Sequence, residues 1–222
     1  MQHGWLSCPR CGRDLDGEDG ELRCPSGHRF EVGRRGYPSL VVGRSPLVRS
    51  EPAAVLDAAD AEWGSGRLDA LIQAVEAVLP SCAGVRVLDC GSDLGHLVAA
   101  AAGGRPGLRA LLVRSSPAAL VRARARSGAH GVLVDPSRPW PVRDASADAV
   151  LCAFADHRPA EFHRVLAPGG VAIIVAPQRQ AAAVDDDVYP WFEHDQTRTA
   201  AGPSGAPAAI IRFRRRRRPL SW

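Results

Sequence analysis

Cys8 and Cys11, separated by two residues, and Cys24 and His28, separated by three, are the side chains whose types and spacing specify chemistry most directly. The pattern C-x2-C, twelve residues, C-x3-H offers three thiolates and an imidazole, the donors that zinc takes in a tetrahedron. With all four positions filled by protein, a structural site is expected rather than a catalytic one. Gly12, Gly17, Gly20 and Gly27 supply the tight backbone of a short ribbon. Apolar residues are scarce here, so metal binding would supply the folding free energy, on the order of 10 kcal/mol. The bland alternative is a set of unconnected thiols and a surface histidine. His3 is a spare ligand candidate, more simply read as a solvated terminal residue. Cys82, Cys90 and Cys152 are read as small buried apolar residues with no assigned chemistry.

A second constellation is Val87-Leu88-Asp89-Cys90-Gly91-Ser92-Asp93-Leu94-Gly95-His96, running from a strand into a helix. Glycines in such a turn let backbone N–H groups approach a bound nucleotide, and Asp89 could accept hydrogen bonds from it. The D-x-G-x-x-x-G spacing alone is a weak signal, and a tight turn that holds no ligand is the alternative.

The elements that must position these residues follow from hydrophobic periodicity. Leu68, Leu71, Ile72, Val75 and Val78 lie on one face of a helix. Short β-branched runs at 85–88, 108–113, 131–134, 149–154 and 171–176 alternate with helical stretches near 97–102, 117–127 and 159–166. Continuously apolar strands separated by helices predict a doubly wound α/β domain with a mainly parallel sheet. The chain divides into a zinc-binding ribbon at 1–43, a helical connector at 44–83, a Rossmann-like domain at 84–195 and an arginine-rich tail at 196–222. That tail carries five consecutive arginines at 214–218, which could grip phosphates, extend an edge strand from 210–213 or lie solvated. It also has the look of a translated GC-rich stretch with little structural logic.

The 222 residues carry a net charge of +4 with no lysine, so every side-chain cation other than histidine is arginine. Mild basicity permits a nucleic-acid partner without establishing one. No apolar run approaches the length of a membrane span, no signal peptide is read, and six cysteines in a chain this long do not suggest a disulfide framework. A reduced, cytoplasmic protein is expected.

Together, three stretches resemble the bacterial 23S rRNA (guanine-N1)-methyltransferase family. CPRCGRDLDGEDGELRCPSGHRFEVGRRGYPSL (8–40) is similar to CPxC…C…HxFD…GYxxLL, and VLDCGSDLGH is similar to VLDxGCGEGYY. SADAVLCAFADHRPAEFHRVLAPGGVAIIVAP (146–177) is similar to the family's S-x-D-x-V…RVL-x-P-G-G…P. The resemblance implies a class-I, S-adenosylmethionine-dependent domain behind a zinc ribbon, acting on guanine N1 in a 23S rRNA hairpin. It implies Asp89, Gly91, Gly95 and Asp135 as cofactor-binding residues. Asp156 or His157 would receive the N1 proton, with Phe154 stacking on the base; Phe154 as core, Asp156 as a helix cap and His157 as solvated stand beside these. Two departures bear on the cofactor: Asp93 replaces the family's central glycine, and Val113, followed by Arg114, stands where a ribose-chelating carboxylate is expected. A non-catalytic RNA- or protein-binding relative is therefore the competing expectation. Oligomeric state is open, a homodimer being one option.

Overall fold

The computed structural model describes residues 4–17, 20–91 and 93–220. Its first part is two small antiparallel hairpins. Strand β1 (Leu6–Ser7) pairs with β2 (Asp14–Leu15), and β3 (Glu21–Arg23) with β4 (Arg29–Glu31). Two helices follow, α1 (Ala53–Trp63) and α2 (Asp69–Val78). Then come β5 (Arg86–Asp89), α3 (His96–Gly104), β6 (Arg109–Arg114), α4 (Pro117–Ser127), β7 (His130–Leu133), β8 (Ala147–Ala153), α5 (Pro159–Val165) and β9 (Leu166–Pro177). The chain ends in α6 (Ala181–Val188), β10 (Phe192–Ala201) and β11 (Pro207–Arg215).

Strands β5 to β11 form one sheet in the order β10-β11-β9-β8-β5-β6-β7. Its first five strands in chain order are mutually parallel, while β11 runs antiparallel to both β9 and β10. The chain leaves β5 toward β6 on one side and later returns as β8 on the other. The carboxyl ends of β5 and β8 therefore border the crevice where strand order reverses, the place where open α/β sheets bind ligands. That topology puts both the 89–96 turn and the 154–157 loop at one edge.

Alternate residues of the strands feed the two faces. Val87, Leu151, Ile173 and Ile210 pack with Leu71, Val75 and Val78 of α2 and Leu97 of α3. Leu88, Leu111, Val113 and Ile174 belong to the opposite core, with Phe162 of α5 and Val184 of α6. Residues 134–146, which cross from β7 to β8, contain no helix, although such crossovers usually provide the cover for a parallel sheet. The ribbon takes that place. Trp5, Leu6, Leu15, Leu22 and Leu40 join the same core as Leu88, Leu111 and Val113. Leu6 bridges Val142, Ser39 bridges Leu133, and Arg143 donates to the Leu6 carbonyl at 2.9 Å and to Asp16 at 2.7 Å. The few apolar residues of the ribbon are completed by the sheet, which is why they did not suffice alone.

The C-terminal segment departs from the expected tail. β10 runs through the 195/196 boundary, and β11 lies between β10 and β9 with Ile210, Ile211 and Phe213 buried. Arg214 pairs with Asp195, Arg216 with Glu193, and Arg215 donates to the His163 carbonyl. Because β11 is antiparallel to β9, this arginine run ends at the sheet edge opposite the 89–96 turn. Among the described residues, no helix is long and apolar enough to cross a membrane.

Candidate functional site

The four metal-ligand candidates converge. One donor atom from each of Cys8, Cys11, Cys24 and His28 lies within 4.8 Å of all the others. The Sγ atoms of Cys8 and Cys24 are each 3.5 Å from His28 Nδ1, and Cys11 Sγ is 3.7 Å from Cys24 Sγ. A tetrahedron with the usual zinc bond lengths has S–S edges of about 3.8 Å and S–N edges of about 3.6 Å. The donor set and its spacing thus fit a zinc ion bound through Nδ1. Two tight turns build it: Gly12 N–H donates to the Cys8 carbonyl at 2.8 Å, and Gly27 N–H to that of Cys24 at 2.9 Å. Gly27 has φ +83°, a left-handed conformation that favours glycine. The Cys11 thiol is held down to about 6, first by the backbone hydrogen bond from Arg13 and next by Ser26, which favours the thiolate that a metal requires.

The cofactor candidates are present but occupied by the protein itself. Asp89, at the end of β5, is fully buried. Its Oδ1 accepts from Gly91 N–H at 3.0 Å and its Oδ2 from Arg114 Nη2 at 2.6 Å. Arg114 closes β6 and also donates through Nη1 to the backbone carbonyls of Asp89 (2.6 Å) and Val113 (3.1 Å). Asp93, equally buried, accepts from Leu97 N–H at 2.7 Å through Oδ2 and holds Oδ1 3.6 Å from the same guanidinium. Val113 sits in the apolar core. Gly91 and Gly95 are packed closely: an added Cβ would lie 2.7 Å from Ala153 N and 2.6 Å from Ala123 O, respectively. Asp135 lies beyond β7, where its Oδ1 accepts from the Ser137 N–H (2.9 Å) and hydroxyl (2.6 Å). Those bonds, the hydroxyl's first, hold its carboxyl below the usual range. S-adenosylmethionine does not fit this arrangement in the family's manner: the turn carries a buried acid at the central glycine, and a guanidinium already holds the Asp89 carboxylate.

Two effects of this packing are measurable. Gly95 has φ +83° as well as the close approach of Ala123, so Gly95→Ala is expected to cost about 2 kcal/mol or more, read as a lower denaturation midpoint. Asp93 is pushed up to about 7, by burial first and by the Asp89 carboxylate second, against the pull of Arg114. The unfolded chain loses that proton near about 4, so this residue opposes folding increasingly as pH rises from there to about 7. Asp93→Asn should be nearly neutral at acid pH and stabilising above neutrality. Equal effects in urea melts on both sides of the transition would show that Asp93 titrates ordinarily.

A strap formed by the connector lies over this edge. Glu51 accepts from the Ser116 hydroxyl, and Leu56 of α1 packs with Leu94 and Ala119. Leu94 itself is in the left-handed region at φ 53°. Trp63 stacks on His96 at 5.9 Å and meets Phe154 edge-on at 6.3 Å. Asp60 lies 3.0 Å from His96 Nε2 and 2.6 Å from Arg126. Asp156 is exposed, while His157 Nε2 is 2.9 Å from Asp187 on α6. Topology thus brings the 154–157 loop to the edge of the 89–96 turn, but His157 faces α6. Arg114, Asp60, Trp63 and His96 were not singled out for these roles by sequence pattern; an arginine ending the apolar run LLVR was the available signal for the first.

Residues 88–174 match the methyltransferase domain family. The chain is 32% identical to the 23S rRNA (guanine(748)-N(1))-methyltransferase of Streptomyces fradiae, over 81% of this chain and 65% of that protein. It is 33% identical to a putative 23S rRNA (guanine-N(1)-)-methyltransferase of Micromonospora griseorubida, over 78% of this chain and 65% of that one. The chain therefore spans just under two-thirds of the length of these relatives. Among solved structures, a chain of the complex between the Haloferax volcanii Trm112 methyltransferase activator and the putative methyltransferase superposes with TM-score 0.60 at 17% identity, covering 78% of this chain and 99% of that chain. The tRNA (m1A58) methyltransferase of Aquifex aeolicus gives 0.52 at 15% identity, covering 67% and 68%. These likenesses show a class-I methyltransferase fold.

Proposed function

We infer that this chain, a divergent member of the 23S rRNA (guanine-N1)-methyltransferase family, is directed to 23S rRNA, with S-adenosylmethionine-dependent methylation of guanine N1 as its reaction. The observation that carries the reading is 32% identity, over 81% of the chain, to a protein named for that reaction. It is supported by a switch-point crevice that brings the 89–96 turn and the 154–157 loop to one edge. Zinc is the metal proposed for Cys8, Cys11, Cys24 and His28. Asp89, Gly91, Gly95 and Asp135 are the proposed cofactor contacts. Asp156 and His157 are the proposed proton acceptors; Asp156 is exposed at the loop, and His157 Nε2 lies 2.9 Å from Asp187 on α6.

Charge distribution bears on how RNA would be held. Residues 1–43 carry six arginines against six carboxylates, whereas residues 84–222 carry nineteen against twelve. The ribbon is neutral, so phosphate attraction would come from the sheet domain, with the ribbon contributing shape. A second reading, RNA binding without methyl transfer, is favoured by one observation, the Arg114 guanidinium held between Asp89 and Asp93. Incubating the zinc-loaded protein with a 23S rRNA fragment and methyl-labelled cofactor separates the two. Label at guanine N1, read as a reverse-transcription stop, is the expected result. Salt-sensitive binding without label would leave the second reading, and absence of both would remove each.

A further inference from the structure

Asp89 and Asp93 place two fully buried carboxylates beside the switch point. Buried charges need a partner, and a single one serves both: Arg114 Nη2, at 2.6 Å and 3.6 Å. Parallel register explains how it arrives. Asp89 is level with Leu112 in the sheet, so Arg114 lies two residues further along β6 and folds its guanidinium back over the end of β5. Its Nη1 also grips the Asp89 carbonyl, which fixes the turn from the side where the family's ribose acid is absent. The strap encloses the arrangement through Glu51 on Ser116 and Leu56 on Leu94. The expected cofactor is itself a cation, carrying a sulfonium and an ammonium, and would meet carboxylates whose charge is already answered.

We propose that Arg114 is an internal occupant of the cofactor turn, so that its ion pairs with Asp89 and Asp93 and the binding of S-adenosylmethionine are mutually exclusive. Asp93 and Arg114 act as a matched pair: the acid that displaces the central glycine is accommodated by the cation beside the missing ribose acid. The proposal rests on the family reading for the identity of the ligand, but not on catalysis.

The test is calorimetric titration of the zinc-loaded full chain with S-adenosylmethionine and, separately, its thermal shift with the same ligand. Wild type is expected to bind only weakly, with a dissociation constant near about 1 mM because the ion pairs must open first, and Arg114→Ser/Asp93→Gly, which removes one charge of each sign, to bind at least about tenfold more tightly. Micromolar binding by wild type, or a folded double variant that binds no better, would overturn the proposal. Where the double variant does not fold, Arg114→Lys serves: it keeps the charge without the planar fork. A gain of affinity in it supports mutual exclusion, and no gain overturns it. Gel shift of a 23S rRNA fragment with the same wild-type preparation keeps the two ideas apart. Its failure counts against the rRNA reading alone, and micromolar cofactor binding by wild type counts against this proposal alone.

Discussion

Removing the metal with a chelator is expected to melt the sheet domain together with the ribbon, in one transition. The ribbon has no core of its own: Trp5, Leu6, Leu15, Leu22 and Leu40 are buried among Leu88, Leu111 and Val113. It also covers the face left open by the helix-free crossover at 134–146. Structural zinc in small modules contributes roughly 10–16 kcal/mol of apparent folding free energy, comparable with the roughly 5–15 kcal/mol of a whole domain. Losing the ion therefore uncovers apolar sheet surface rather than freeing a flexible arm. Cys24→Ser should act in the same direction, because Cys24 is both a proposed ligand and a core residue. Trp5 and Trp140, buried in this shared core, report the event by fluorescence, while far-UV circular dichroism follows the helices of the sheet domain. If the helical signal melts at an unchanged temperature after chelation, the ribbon is an independent module and this account fails. Cobalt in place of zinc should restore both signals and show thiolate charge-transfer absorption.

How much of this was legible beforehand depended on whether the decisive contact was local. α4 begins and ends as read because its signals are adjacent in sequence: the Ser116 hydroxyl accepts from Ala119 N–H, Pro117 opens the first turn, and Gly128 closes the helix at φ +66°. The convergence of Cys8, Cys11, Cys24 and His28 is legible for the same reason, since donor type and spacing within two turns bring the four together. α1 falls within the expected connector without a signal of its own: Pro52 precedes it, its composition is mainly alanine and aspartate, and it buries only Leu56 and Trp63. β10 is divided by the sequence reading, 192–195 falling in the Rossmann-like domain and 196–201 in the tail, because FEHDQTRTAA has no clean apolar alternation. It is an edge strand paired only with β11, and most of its length faces water. The apolar 210–213 run gave the one hint that the sheet continued.

The site shows the same division. Asp89, Gly91 and Gly95 are positioned by their own strand and turn, so their placement was readable. What occupies them was not, because Arg114 is 25 residues away from Asp89 and reaches it only through the β5–β6 register. The spacing of Gly91 and Gly95 suggests room for a ligand; in the structure they make room for the backbone at Ala153 and Ala123. A glycine pattern reports that something approaches closely, and the fold decides whether it is a cofactor or the chain itself.

Arg114→Leu is therefore expected to be among the most destabilising single substitutions in the sheet domain, at about 3–5 kcal/mol near neutral pH. The leucine would fill much of the volume, so the loss is electrostatic: two buried carboxylates remain with no cation, and the carbonyl of Asp89 loses its donor. The sign of the pH dependence follows from that. Without the guanidinium, carboxyl groups in an apolar site take up protons more readily in the folded state than in the unfolded one, so the variant should regain stability as pH falls from about 7 to about 5. Urea melts of wild type and variant at the two pH values measure both the cost and its recovery. A loss below about 1 kcal/mol would mean that Arg114 is an exposed pair of ordinary weakness. A pH-independent loss would mean that its packing and not its charge holds the turn. Either result would also weaken the proposed mutual exclusion, because an arginine that contributes little there cannot keep a cofactor out.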